Sequence, residues 1–200
     1  MPRSTREAAR SLRATAQGQG GYFTAKQARR SGYGYPHLEY HVSTGAFERI
    51  EHGLYRLADI PVAENDDLIR LSLWSRNRAD EPQAVVSHES ALVIHELAEL
   101  LPDEVHLTVP PGFRKEPPQG CILHKAVLLP AEVEERIGFR VTNPLRTLLD
   151  IAAGTTSQEQ LEKAVAEALN RGLVRRNKLA EVIRSTTGMD RLERALKVRR

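Results

Sequence analysis

His37, Tyr40, Ser43 and Thr44 fall on one side of a short stretch with helical periodicity, and each carries a group that donates or accepts a hydrogen bond. Such a set on one helix face can read the edges of base pairs in a DNA groove. The other side of the stretch carries Leu38 and Val42, with Tyr35 beside them, and is expected to face a core. Cations flank it on both sides. Lys26, Arg29 and Arg30 come before, and Arg49, His52 and Arg56 after, types that suit a phosphate backbone better than bases.

A second group suggests a different chemistry. His88 and His95 are seven apart, with Glu99 four further on, so one helical face could bring all three to a metal ion. The set contains neither histidines four apart nor cysteines, and packed or solvated roles account for each residue, so no metal and no cofactor is expected. Glu89, Glu96 and His95 are the residues from which a nuclease or hydrolase would have to be built. Cys121 sits in an apolar run, where a cysteine acts as a small core side chain and not as a nucleophile. No glycine loop followed by Lys-Ser/Thr is present to cradle phosphates. Binding without catalysis is the expectation.

The elements that must position these residues are legible from local signals. Tyr22-Phe23-Thr24 reads as a strand start, and Thr24 with Gln27 makes a capping box that opens a helix closed by Gly32. Ala25 and Ala28 give that helix a small face for close approach. A second helix opens at Pro36, where a missing N–H costs nothing, and runs to Gly45. Phe47 to Leu57 then form a hairpin turning at His52-Gly53, with Tyr55 and Leu57 in clean alternation. Phe47 and Ile50 are three apart, which requires a bulge or bend in the first strand. A preceding helix starts from a capping box at Ser4 and Glu7 and carries Ala8, Ala9, Leu12 and Ala16 in one stripe. Residues 1–60 thus read as a winged helix-turn-helix.

A second domain is expected over residues 61–200, mixed α/β to about 153 and helical beyond, giving an α+β chain. It opens with a helix from Asp66 to Asn77 that turns Leu68, Leu71 and Trp74 inward. Strands are expected at Ala84 to Val86, Val105 to Val109, Cys121 to His124 and Gly138 to Val141. Ser87 caps a helix carrying Leu92, His95, Leu97 and Leu100. Asn143 caps another whose stripe is Leu145, Leu148, Leu149 and Ala152, with Arg146 and Asp150 four apart as a brace. Helices at Gln158 to Asn170, Arg175 to Arg184 and Met189 to Val198 follow.

Composition bounds the possibilities. With 40% hydrophobic and 28% charged residues the chain is globular, and its single cysteine rules out an internal disulfide framework. No apolar run approaches the roughly 18 to 20 residues of a membrane span, and the first residues are charged and unlike a secretory leader, so a cytoplasmic location is expected. The net charge of +3 conceals segregation: residues 1–60 carry nine basic and five acidic side chains, residues 61–170 ten and eighteen, residues 171–200 ten and three. A basic first domain can release counterions from duplex DNA, while an acidic middle repels it. The basic tail reads either as a further phosphate contact, the preferred reading, or as an internal counterweight to the acidic middle.

Four stretches carry a resemblance: Tyr22-Phe23-Thr24-Ala25-Lys26-Gln27-Ala28, Gly53-Leu54-Tyr55-Arg56-Leu57, Val86-Ser87-His88-Glu89-Ser90-Ala91-Leu92, and Val141-Thr142-Asn143-Pro144-Leu145-Arg146-Thr147-Leu148-Leu149-Asp150. Together, from about Gly20 to Asp150, they resemble the AbiEi family of antitoxins and transcriptional regulators from type IV toxin-antitoxin systems. The resemblance implies a winged helix that binds inverted repeats in double-stranded promoter DNA and represses its own operon. It also implies a C-terminal domain that counters a nucleotidyltransferase-like toxin without needing to touch it. A stand-alone winged-helix regulator with no toxin partner, or a nuclease-related enzyme, are the alternatives.

Overall fold

The computed structural model of the protein describes residues 5–98, 102–186 and 189–197. The chain forms two compact units, Met1–Pro82 with Arg136–Phe139, and Gln83–Glu135 with Arg140–Arg200. The first unit therefore runs on past residue 60, where the sequence suggests a boundary.

In the first unit, α1 (Thr5–Gln17) buries Ala8, Leu12 and Ala16 of the expected stripe but leaves Ala9 exposed; Ser4, its proposed cap, lies outside the described residues. β1 (Tyr22–Thr24) leads into α2 (Ala25–Ser31), and the capping box is present. Thr24 Oγ1 accepts from the Gln27 N–H at 3.1 Å, and Gln27 Oε1 accepts from the Thr24 N–H at 2.8 Å. Gly32 closes α2 at φ 108°, a left-handed conformation in which glycine carries no β-carbon penalty. α3 (Tyr35–Ser43) starts one residue before Pro36.

β2 (Phe47–Glu51) and β3 (Leu54–Leu57) form the hairpin, and the register shifts between Arg49 and Glu51, so the bulge required by the Phe47 and Ile50 spacing falls at Ile50. The strands assemble antiparallel in the order β1-β3-β2. β3 is thus central, and all four of its residues are buried instead of alternating. Phe23 sits at the heart of this unit, edge-on to Phe47 at 5.1 Å and stacked on Tyr55 at 5.7 Å.

α4 (Asp66–Trp74) packs against β1, which is why the unit extends beyond residue 60. It buries Leu68, Ile69, Ser72 and Leu73, a face turned by about one residue from the expected Leu68, Leu71 and Trp74. Gly20 makes the close approach possible, since a β-carbon there would stand 2.6 Å from Ile69 Cδ1. Tyr22 donates to Asp66 Oδ2 at 3.0 Å, and Arg70 pairs with Glu51 of the wing. Below them lies a buried amide pair: Gln27 Nε2 donates to Gln19 Oε1 at 2.8 Å, and Arg76 donates to the same oxygen at 2.6 Å.

The second unit is built on a mixed sheet with strand order β6-β5-β4-β8-β7 among the described residues. Its strands are β4 (Val85–Val86), β5 (Val105–Val109), β6 (Cys121–Lys125), β7 (Val133–Glu135) and β8 (Arg140–Thr142). β7, a three-residue strand of Val-Glu-Glu, is absent from the sequence reading. Cys121 is only partly buried, at the start of β6, and is not a core residue.

α5 (His88–Ile94) ends before His95, shorter than expected, and Leu100 lies outside the described residues. α6 (Pro144–Ala153) is capped by Asn143, whose side chain accepts from the Arg146 N–H at 2.8 Å. α7 (Gln158–Asn170), α8 (Arg176–Ser185) and α9 (Asp190–Lys197) complete the unit. Leu92, Leu148, Ile151, Leu161, Leu179 and Leu192 meet in one core, fully buried. The chain is thus α+β, with a winged helix followed by a mixed α/β unit and C-terminal helices. Among the described residues no helix is long and apolar enough to cross a membrane.

Candidate nucleic-acid interface

α3 turns Leu38 into the aromatic core, and Val42 packs partly against it. His41 also leans on the core, its ring 4.6 Å from that of Phe47, and the opposite face of the helix is left to solvent. His37, Tyr40, Ser43 and Thr44 are all exposed on it, with Tyr40 at 62%. Tyr35 joins them at 61% and does not pack beside Leu38 as the helical wheel suggests, because it stands in the first turn, where the chain has just left the core.

The hydrogen-bond capacity of this face is more specific than its composition. The Ser43 and Thr44 hydroxyls both donate to the Tyr40 carbonyl, at 2.8 and 3.0 Å, so what they offer outward is acceptor lone pairs. His37 Nδ1 accepts a long bond of 3.4 Å from the Gly34 N–H, which assigns the ring proton to Nε2. The face therefore presents a ring N–H and a phenol beside two acceptors, a mixture suited to base edges.

The cations divide into two groups. Arg29 on α2, and Arg49 and His52 on the wing, are exposed. Lys26 donates to the Arg78 carbonyl at 2.6 Å and Arg30 pairs with Asp80 at 2.6 Å, so both anchor the segment after α4. Arg56 departs from its expected place on the wing. Because β3 is the central strand, Arg56 lies between two neighbours with its side chain 9% exposed, and its guanidinium holds cross-strand Glu48 at 2.7 Å and the Ile60 carbonyl. It binds the sheet together and is not positioned to lie along phosphate.

Four cations of the basic tail have partners, while Arg175, Arg176, Arg184 and Arg194 are exposed. Arg171 donates to the carbonyls of His95 and Glu96 at 2.9 and 3.0 Å, and Arg191 to those of Ala152, Gly154 and Thr156. Lys178 and Lys197 pair with Glu181 and Glu193 on their own helices. The contacts of Arg171 and Arg191 favour an internal role over a second phosphate contact for those two side chains, while Lys178 and Lys197 stay exposed in pairs within the tail.

The histidines of the second unit are not grouped as their spacing suggests. His95 is buried at the end of α5 with Nε2 2.7 Å from the Thr142 carbonyl, and Glu99 lies outside the described residues. Glu96 is exposed, with Arg171 at 3.6 Å, while Glu89 faces His106, so Glu89, Glu96 and His95 share no centre. His88 instead meets His106 and His124, whose ligand atoms all lie within 4.8 Å of one another. Burial lowers both His88 and His124 to about 4, which keeps those rings neutral at physiological pH. Sequence spacing could not group these three, since the register of β5 against β6 brings His106 and His124 together.

Two family descriptions match the chain. Residues 10–58 match the AbiEi antitoxin transcriptional regulators, and residues 84–198 match the AbiEi antitoxin C-terminal domain. No curated protein matches. Among solved structures, the RV2827C protein from Mycobacterium tuberculosis is similar at 15% identity and a TM-score of 0.45, over 98% of this chain and 82% of that one. One description covers the winged helix and the other, more than half of the chain, covers the second unit, in that order: the protein belongs to the AbiEi antitoxin family and is a DNA-binding regulator of antitoxin type.

Proposed function

We propose that the protein represses its own operon by setting α3 into the major groove at inverted repeats, with Arg29, Arg49 and His52 on neighbouring phosphates. The carrying observation is the solvent-facing set on α3, His37, Tyr40, Ser43 and Thr44 with exposed Tyr35, on a helix whose other side is locked in the core. The protein acts in the cytoplasm by binding and not by catalysis.

Titration of the full chain against DNA from upstream of its own gene, and against random duplex, tests this reading. Tyr40→Ala and Ser43→Ala should each narrow the gap between the two DNAs by about 1 to 3 kcal/mol. Arg49→Ala should weaken both alike and reduce the slope of log affinity against log salt by about 0.9. Equal losses on both DNAs for the Tyr40 and Ser43 variants would remove α3 as the reading helix.

The second unit, in this proposal, counters a nucleotidyltransferase-like toxin encoded beside it, with no direct contact required. A full chain carrying Tyr40→Ala and Arg49→Ala should lose repression yet still restore growth to cells expressing that toxin. If repression and rescue disappear together, rescue is only repression. If the parent represses but never rescues, the protein is a stand-alone regulator.

A further inference from the structure

We propose that His88, His106 and His124 form a site for one divalent d-block cation, zinc by its ligand set, with the Glu89 carboxylate beside His106. The four residues come from three elements. His88 and Glu89 open α5, His106 lies in β5 and His124 in β6. In the parallel β5–β6 register Thr108 stands opposite His124 and Ile122 opposite His106, so the two histidines share a face of the sheet two positions apart.

The ligand atoms of the three histidines lie within 4.8 Å of one another. His106 Nδ1 is 3.0 Å from His124 Nε2 and 3.2 Å from Glu89 Oε2. Two ligand atoms each about 2.0 to 2.1 Å from a tetrahedral zinc stand about 3.3 Å apart. The His88 ring stacks on His124 at 3.6 Å with the planes 15° apart, so binding requires these two rings to turn until their in-plane lone pairs converge on the ion.

Three further observations point to a cation. Glu89 Oε2 is buried and has no hydrogen-bond partner among the described residues, while Oε1 is held by the Thr156 hydroxyl. The contact of this buried carboxylate oxygen is the His106 ring nitrogen at 3.2 Å, and its negative charge favours a cation beside the histidines. Ser87 Oγ lies 3.0 Å from His88 Nδ1 and itself accepts from the buried Thr108 hydroxyl at 2.8 Å, leaving His88 Nε2 for the ion. A hydrogen-bond acceptor behind the far nitrogen is what fixes the orientation of metal-binding imidazoles, and the Ser87 oxygen can serve as one. His88 also holds φ at 51°, a left-handed conformation unusual outside glycine, and there its side chain joins the other two. Three imidazoles suit zinc better than magnesium or calcium, which prefer all-oxygen spheres.

The full chain, free of any histidine tag, would be loaded with zinc, dialysed into metal-free buffer and analysed for bound metal, and in parallel titrated with cobalt(II). The expected results are about one zinc per chain, intense visible bands of four-coordinate cobalt, and a melting temperature about 5 °C lower after chelation. His106→Gln and His124→Gln should each weaken retention by more than about tenfold, with far-UV circular dichroism confirming that they fold. Absence of both retained zinc and cobalt bands in the parent would overturn the site and leave a hydrogen-bonded histidine cluster. Undiminished retention in folded His106→Gln and His124→Gln would overturn it too, by placing the ion elsewhere.

Discussion

Arg146→Met lowers the melting temperature by roughly 6 to 20 °C, because it strands a buried carboxylate. Arg146 Nε donates to Asp150 Oδ1 at 2.7 Å and Nη1 to Glu132 at 3.0 Å, and the Asp150 side chain is only 8% exposed. Removing one partner of a buried ion pair costs about 3 to 5 kcal/mol, and each kcal/mol moves the melting point of a chain this size by about 2 to 4 °C. Asp150 Oδ2 already lacks a partner among the described residues, and burial raises the pKa of Asp150 above the usual carboxylate value even with Arg146 beside it. The raised Arg146 pKa points the other way, toward a comfortable pair. For the variant the desolvation of Asp150 decides the outcome, since that burden remains when the arginine is gone.

The pH dependence has a definite sign. Between the ordinary carboxylate pKa and the raised folded value, the folded state holds more protons than the unfolded state, so stability falls as pH rises through that window. The deficit of Arg146→Met should therefore be greatest at neutral pH and shrink on acidification, as Asp150 becomes neutral. Adding Asp150→Leu should recover most of the loss. A deficit that is independent of pH and persists in the double variant would assign the effect to lost packing instead of charge.

Phe23→Ala should remove about 3 to 5 kcal/mol from the first unit and abolish operator binding at physiological temperature. Phe23 is fully buried, with the Phe47 and Tyr55 rings on either side, so the truncation leaves a ring-sized hole beneath β3. Total stabilities are about 5 to 15 kcal/mol, so such a loss populates the unfolded unit substantially. Trp74, the single tryptophan of the chain, lies in α4 of this unit and reports its unfolding by fluorescence. Cooling should restore part of the DNA binding, which loss of a base contact would not allow. An unshifted fluorescence transition would show that Phe23 is not the keystone of this core.

What was legible in the sequence is what is decided within a few residues. The Thr24–Gln27 box, the Gly32 stop and the Asn143 cap all involve groups at most four positions apart, so residue types suffice to specify them. The polarity of α3 was legible for the same reason, with Leu38 inward and His37, Tyr40, Ser43 and Thr44 outward. Its edge was not: whether Tyr35 is covered depends on where the core ends, and helical periodicity carries no information on that. For α4 the expected face was off by one residue, since packing buries Leu68 and Ile69 side by side and not a single narrow stripe.

The sequence by itself determined a winged helix-turn-helix and a second α/β unit, because caps, turns and periodicity are local and mutually consistent. Only the tertiary structure decided which charged and imidazole groups are free to act. Arg49 and Arg56 look alike in sequence, yet one is on an outer strand and exposed while the other is enclosed in the central strand, an outcome fixed by β1 pairing with β3. His88, His106 and His124 are separated by 18 residues at each step; His106 and His124 meet through strand register, and His88 joins them from the start of α5. Long-range pairing of this kind is set by burial across the whole sheet, and the residues it brings together carry no shared mark in the sequence.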